Sequence, residues 1–172
     1  MRKALIIVDM LNDFVHPDGK LFFQAGADII PAVWERIKEH RADGNLRIYL
    51  YDAHAKDDLE FDRFPPHAIE NTWGSEIVAE LNPRDEDVLF VPKTRYSGFY
   101  GTELDEQLRV WGPSEVEVVG VCTSICVMDT VGGLANRNYK ITVPLNAIAD
   151  FDPEASAAAI NRMGGLYGAK FI

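Results

Sequence analysis

Short runs dominated by Ile, Leu and Val recur along this chain, at residues 4–8, 46–51, 88–91, 116–121, 140–143 and 169–172, with helically spaced stretches between them. Strands this continuously apolar need cover on both sides, which a parallel sheet between two helical layers provides. The alternation therefore predicts an α/β fold, a three-layer sandwich around a mostly parallel twisted sheet of about six strands with helices on both faces. Helices are expected over 31–42, where Pro31 suits a first turn and Gly44 stands just past the end, and over 102–111, 125–137 and 153–163, with a short one over 76–81. No repeat and no Ser/Gly linker interrupts the pattern, and the length of 172 residues predicts one domain spanning 1–172.

Charge narrows the partners. A formal net charge of -10 opposes nucleic acid and anionic membrane surfaces, and no stretch is long and apolar enough to span a bilayer. A small molecule is the expected partner. Two cysteines, Cys122 and Cys126, make no disulfide framework and point to a reducing compartment, with the cytoplasm as the expected location. The basic start and the apolar run from Ala4 look faintly like a signal peptide, but Asp9 interrupts the run and no small-residue cleavage site follows.

In open α/β sheets, ligands gather outside the carboxyl ends of the strands. Asp9, Asp52, Lys93 and Cys126 all fall at or just past such ends. Cys126 stands where an apolar strand gives way to a helix-like stretch, so free backbone N–H groups and the helix dipole are expected to lower its pKa and to hold an oxyanion. Read singly, each residue has an ordinary role: Cys126 as a small buried hydrophobe, Asp9 as a turn or cap residue, Lys93 as a surface charge. Their shared location changes this reading. An Asp can take the thiol proton and return one to a leaving amine, while a Lys beside both favours their charged forms.

A second cluster lies in the long irregular stretch 52–74, of a length that is usually functional or disordered. Asp52 and His54 are two apart on extended backbone and point to the same side, and His67 from the following loop can complete three ligands. Imidazole with carboxylate suits one divalent Zn, Fe or Mn rather than Ca or Mg.

These pieces together resemble the isochorismatase-like cysteine hydrolases, and within them the nicotinamidases. The resemblance rests on the opening Ala-Leu-Ile-Ile-Val-Asp9-Met-Leu-Asn-Asp13-Phe14 and on Asp52-Ala-His54 with Phe64-Pro-Pro-His67. It also rests on Lys93-Thr-Arg-Tyr96-Ser-Gly-Phe99 and Gly120-Val-Cys-Thr-Ser-Ile-Cys126. It implies a catalytic Asp9, Lys93 and Cys126, metal ligands Asp52, His54 and His67, and Glu60 at the position of a fourth ligand. It further implies that Phe14, Phe64 and Tyr96 hold a pyridine ring, and that a cis Val121–Cys122 peptide shapes an oxyanion hole formed by the backbone of Cys122 and Cys126. The implied reaction is hydrolysis of nicotinamide to nicotinate and ammonia, a step of pyridine nucleotide salvage, and a homo-oligomer is the expected assembly. Another small heteroaromatic carboxamide, or a catalytically silent ligand-binding relative, are the alternatives; the intact Asp9, Lys93 and Cys126 set argues against silence. Ser124 stands where the family usually carries Asp.

Overall fold

A computed structural model describes residues 2–83 and 88–172. The strands are β1 (Lys3–Val8), β2 (Leu46–Asp52), β3 (Val88–Lys93), β4 (Glu115–Val121), β5 (Ile141–Val143), β6 (Ile148–Ala149) and β7 (Lys170–Phe171). They form one sheet in the order β3-β2-β1-β4-β5-β7, with β6 also pairing β4, and every pairing is parallel. The seventh strand beyond the six expected is β6, only two residues long, which carries too little sequence to show a pattern.

The α-helices are α1 (Asn12–Val15), α2 (Gln24–Asp28), α3 (Ile30–Ala42), α4 (Leu104–Trp111), α5 (Met128–Ala135) and α6 (Pro153–Gly165). Alternation along β1 sorts the core into two layers. Ala4, Ile6 and Val8 pack with Leu104 and Leu108 of α4, Val131 and Leu134 of α5, and Ala159 and Met163 of α6. Leu5 and Ile7 pack with Val33 and Ile37 of α3. Helices α3, α4, α5 and α6 present apolar residues three or four apart to the sheet, which is why the helical spacing was readable. Asp152 caps α6 by accepting from the N–H groups of Glu154 and Ala155. Residues 76–81 form only a 3-10 turn at Ala79–Leu81 rather than a helix. Among the described residues, no helix is long and apolar enough to cross a membrane.

A buried charge cluster supports the layer below α3. Arg36 donates to both carboxylate oxygens of Glu117 at 2.7 and 2.8 Å, and His40 lies 3.5 Å from the same group. Burial pushes the Glu117 carboxyl up, but hydrogen bonding from His40 and Arg36 outweighs it and holds the group below its ordinary value. An acid with a depressed folded pKa stabilises the fold fully above its unfolded value and loses that contribution as pH falls through the folded value. Glu117→Gln is expected to cost about 2 kcal/mol at neutral pH, less than a fully buried pair because Arg36 keeps some water contact. Urea melts of both proteins at neutral pH and near pH 3 check this, since the difference should shrink in acid.

Candidate active site

The strand order reverses between β1 and β4, and this switch point is where a parallel sheet opens a crevice at its carboxyl edge. Asp9 leaves β1 with φ 50, a left-handed conformation that Asp tolerates better than most residues. Its N–H donates to Leu50 O, and its Oδ1 accepts the Asp52 N–H, both at 2.8 Å, so the ends of β1 and β2 are tied together. Gly120 makes the approach of β4 feasible: a Cβ there would sit 2.1 Å from Val8 O. Asp52 and Lys93 end β2 and β3 and stand in register.

These ends bring the charged groups to one point. Lys93 Nζ lies 2.8 Å from Asp9 Oδ2, 2.5 Å from Asp52 Oδ1 and 3.3 Å from Cys126 Sγ. All four side chains are buried, and a carboxylate oxygen of Asp9, one of Asp52 and Cys126 Sγ lie within 4.8 Å of one another. Burial and the neighbouring Asp52 raise the Asp9 carboxyl to about 6, against the pull of Lys93. Burial also pushes the Cys126 thiol up, opposed by Lys93 and reinforced by Asp9 and Asp52. This reverses the expectation of a lowered thiol pKa, because desolvation outweighs the pull of Lys93. The resting arrangement at neutral pH is a thiol beside an ionised Asp9, with Lys93 held charged by Asp52 and Asp9 despite its burial.

Cys126 does not open an α-helix. Residues Thr123–Val127 form a π-type turn, with Val127 N donating to Cys122 O at 3.2 Å, and the α-helical hydrogen bonding begins only at Met128. The Val121–Cys122 peptide is cis. The Ser124 N–H donates to Asp150 Oδ2 at 2.7 Å, so a carboxylate just past the end of β6 secures this turn.

Asp52, His54 and His67 form a buried group whose donor atoms lie within 4.8 Å of one another. His67 Nδ1 donates to Pro65 O at 2.7 Å, and His54 Nδ1 lies 3.1 Å from Asp58 Oδ2, which leaves both Nε2 atoms for a ligand. His54 Nε2 is buried without a hydrogen-bond partner, 3.6 Å from Asp52 Oδ2. Burial lowers the His54 imidazole, but Asp52, Asp58 and Glu60 outweigh it and raise it to about 9, so the pocket attracts positive charge. Glu60 lies outside this group of three, with Oε1 4.0 Å from His67 Nε2 and a buried Oε2 that has no partner. The donor set fits a divalent transition metal with Glu60 within reach.

Both clusters border one cavity of about 440 Å³. Phe14, Phe64 and Tyr96 line it, as do Cys122 and Cys126. Lys20, Leu21, Phe22, Phe23, Ile125 and Phe151 also line it, none of them given a site role by the sequence. Phe23 and Phe151 meet edge to face at 6.2 Å across 128 positions of chain, a pairing that no local pattern carries. Asp13 joins this lining to the metal loop, its Oδ1 accepting from Lys20 N at 3.1 Å and its Oδ2 from Ala68 N at 2.8 Å.

Known proteins identify the class to which this architecture belongs, a hydrolase acting on amide C–N bonds. Residues 3–172 match the isochorismatase domain, and the chain belongs to that family. It is 36% identical to an isochorismatase family protein of Bacillus subtilis, covering 99% of this chain and 98% of that relative. The pyrazinamidase/nicotinamidase of Streptococcus mutans superposes with a TM-score of 0.93 at 33% identity, covering 99% of each chain. The pyrazinamidase of Pyrococcus horikoshii in complex with zinc also gives 0.93, at 32% identity over 100% of this chain and 99% of that one.

Proposed function

We propose that this chain is a nicotinamidase, releasing ammonia from nicotinamide through a thioester on Cys126. The observation that carries the reading is the meeting of Asp9, Lys93 and Cys126 within hydrogen-bonding distance beside Asp52, His54 and His67, on the wall of one aromatic cavity. Similarity to nicotinamidases and pyrazinamidases supports it.

In this reading Asp9 takes the Cys126 proton as the sulfur attacks the carboxamide carbon. Lys93 stabilises the thiolate as it forms, a charge that burial disfavours in the resting site. The N–H groups of Cys122 and Cys126 hold the oxyanion. Asp9 returns its proton to the amide nitrogen, the C–N bond breaks and ammonia leaves. Asp9 then takes a proton from water, the hydroxide adds to the thioester carbon, and as the C–S bond breaks Asp9 returns that proton to the sulfur, restoring the thiol and its own carboxylate and releasing the acid, which ionises to nicotinate. Phe14, Phe64 and Tyr96 flank the pyridine ring. Asp52, His54 and His67, with Glu60 in reach, would hold one Zn, Fe or Mn, whose Lewis acidity would anchor the ring nitrogen.

A second reading, hydrolysis of another small amide, is favoured by the similarity to a ureidoacrylate amidohydrolase of Variovorax paradoxus, 30% identical over 92% of this chain and 71% of that relative. Ammonia release from nicotinamide and a short series of carboxamides, with and without chelator, separates the two. Ammonia from other carboxamides but not from nicotinamide would overturn the first reading.

His54→Ala and His67→Ala are each expected to weaken metal binding by about 100-fold or more, since each removes a ligand whose partner on Nδ1 already orients it. Elemental analysis after dialysis checks this. Stoichiometric metal persisting in both variants would remove these residues from the ligand set.

A further inference from the structure

We propose that Asp58 is the positioning residue of the metal pocket, one carboxylate that fixes the ring of His54 and the turn that presents Glu60. The proposal rests on the metal-binding reading above and assigns a role to a residue outside the ligand set. Asp58 Oδ2 lies 3.1 Å from His54 Nδ1, while Oδ1 accepts the Glu60 N–H at 2.9 Å and so caps the 3-10 turn Leu59–Asp62. Arg95 Nη1 donates to both oxygens, at 3.0 and 3.1 Å, from a position two residues past Lys93. The Asp58 side chain is only 8% exposed, so these bonds are shielded from water.

The chemistry follows from what a carboxylate can and cannot do. An ionised carboxylate only accepts, so the nitrogen facing it must carry a proton, and the neutral imidazole then has its lone pair on the other nitrogen. Asp58 thereby selects the Nδ1–H tautomer of His54 and turns the Nε2 lone pair toward Asp52 and His67. His67 reaches the same state through the Pro65 carbonyl, a backbone group that no side-chain substitution removes. His54 depends on a side chain. Neighbouring Asp57 is exposed and serves as the control.

Two substitutions separate tautomer selection from turn capping. Asp58→Ser keeps an oxygen that can cap the Glu60 N–H but leaves nothing within reach of His54. Asp58→Asn keeps the volume but has only one accepting oxygen for the two N–H groups, so it must fail one of them. The readouts are the zinc dissociation constant, by competition with a chromophoric chelator, and the His54 tautomer in metal-free protein held above about pH 10, where an imidazole raised to about 9 is neutral, from nitrogen-15 NMR of the ring. Asp58→Ser should bind zinc about 10- to 100-fold more weakly and lose the Nδ1–H preference of neutral His54, Asp58→Asn should weaken zinc whichever N–H it fails and lose the preference only if that N–H is the His54 one, and Asp57→Asn changes neither. Zinc affinity within about threefold of wild type in Asp58→Ser, or an unaltered tautomer there, would overturn the proposal and leave the metal site standing. A wild-type protein that binds no zinc would instead defeat the metal-binding reading, and this inference with it. Should Asp58→Asn fail to fold, Asp58→Ser decides the matter, because it retains the cap.

Discussion

Cys126→Ala is expected to lower ammonia release from nicotinamide by on the order of 10⁴-fold or more, the scale on which a lost nucleophile is felt. The loss should appear in kcat, since the aromatic residues and the metal pocket proposed to bind substrate do not depend on the sulfur. The fold should survive. Cys126 is a small side chain packed among Val8, Val127 and their neighbours, and removing one sulfur costs less than truncating a large core residue. Cys122 supplies the internal comparison. It lines the same cavity, but burial and the nearby Asp150 carboxylate push its thiol up, whereas the Lys93 ammonium sits 3.3 Å from Cys126. Cys122→Ala should therefore keep activity within about tenfold of wild type. Intact-mass measurement after rapid quenching provides a second test, because a nicotinoyl adduct should form on wild type and on Cys122→Ala but not on Cys126→Ala. Retention of more than about a hundredth of the activity in Cys126→Ala would sink the covalent mechanism.

The convergence of Asp9, Asp52, Lys93 and Cys126 was legible because each follows an apolar run, and parallel pairing carries the ends of such runs to one edge. The groups that hold these residues in place were not. Asp58 and Asp150 each lie in a stretch with other Asp residues, where solvation is the ordinary expectation, and their roles depend on which N–H or imidazole the folded chain brings opposite them. Gly74 shows the same limit, since a Cβ there would lie 2.1 Å from Asp13 Oδ2, a contact made across 61 positions. The π-type turn at Thr123–Val127 escaped because its residues have the same spacing as the helix that follows. The direction of the Cys126 shift was misread for a related reason: helix-end electrostatics can be inferred locally, whereas full desolvation is a property of the packed core.

Lys93→Met should lower activity severely while nearly preserving side-chain volume, which separates the role of the charge from that of packing. The Lys93 side chain is 0% exposed and its ammonium is shared among Asp9, Asp52 and Cys126, so no solvent cation replaces it. Without it, two buried carboxylates face each other with less compensation, and the site is expected to take up a proton. Lys93 at present pulls the Asp9 carboxyl down, and even so that group stands at about 6. Its removal moves Asp9 further up, so at neutral pH the carboxyl is protonated for a larger fraction of the time and cannot accept the thiol proton. The Cys126 thiol, which Lys93 also pulls down, moves in the same direction. A rate loss of about 10³-fold is expected, within the range of a lost general base compounded by a weaker nucleophile. Iodoacetamide labelling provides a readout independent of turnover, best carried out with Cys122 replaced by Ala so that only Cys126 reports. In Lys93→Met the labelling should slow at neutral pH and its profile should shift to higher pH. An unchanged profile would mean that the ammonium is not felt at the sulfur, and would remove Lys93 from the reacting set despite its place between Asp9 and Cys126.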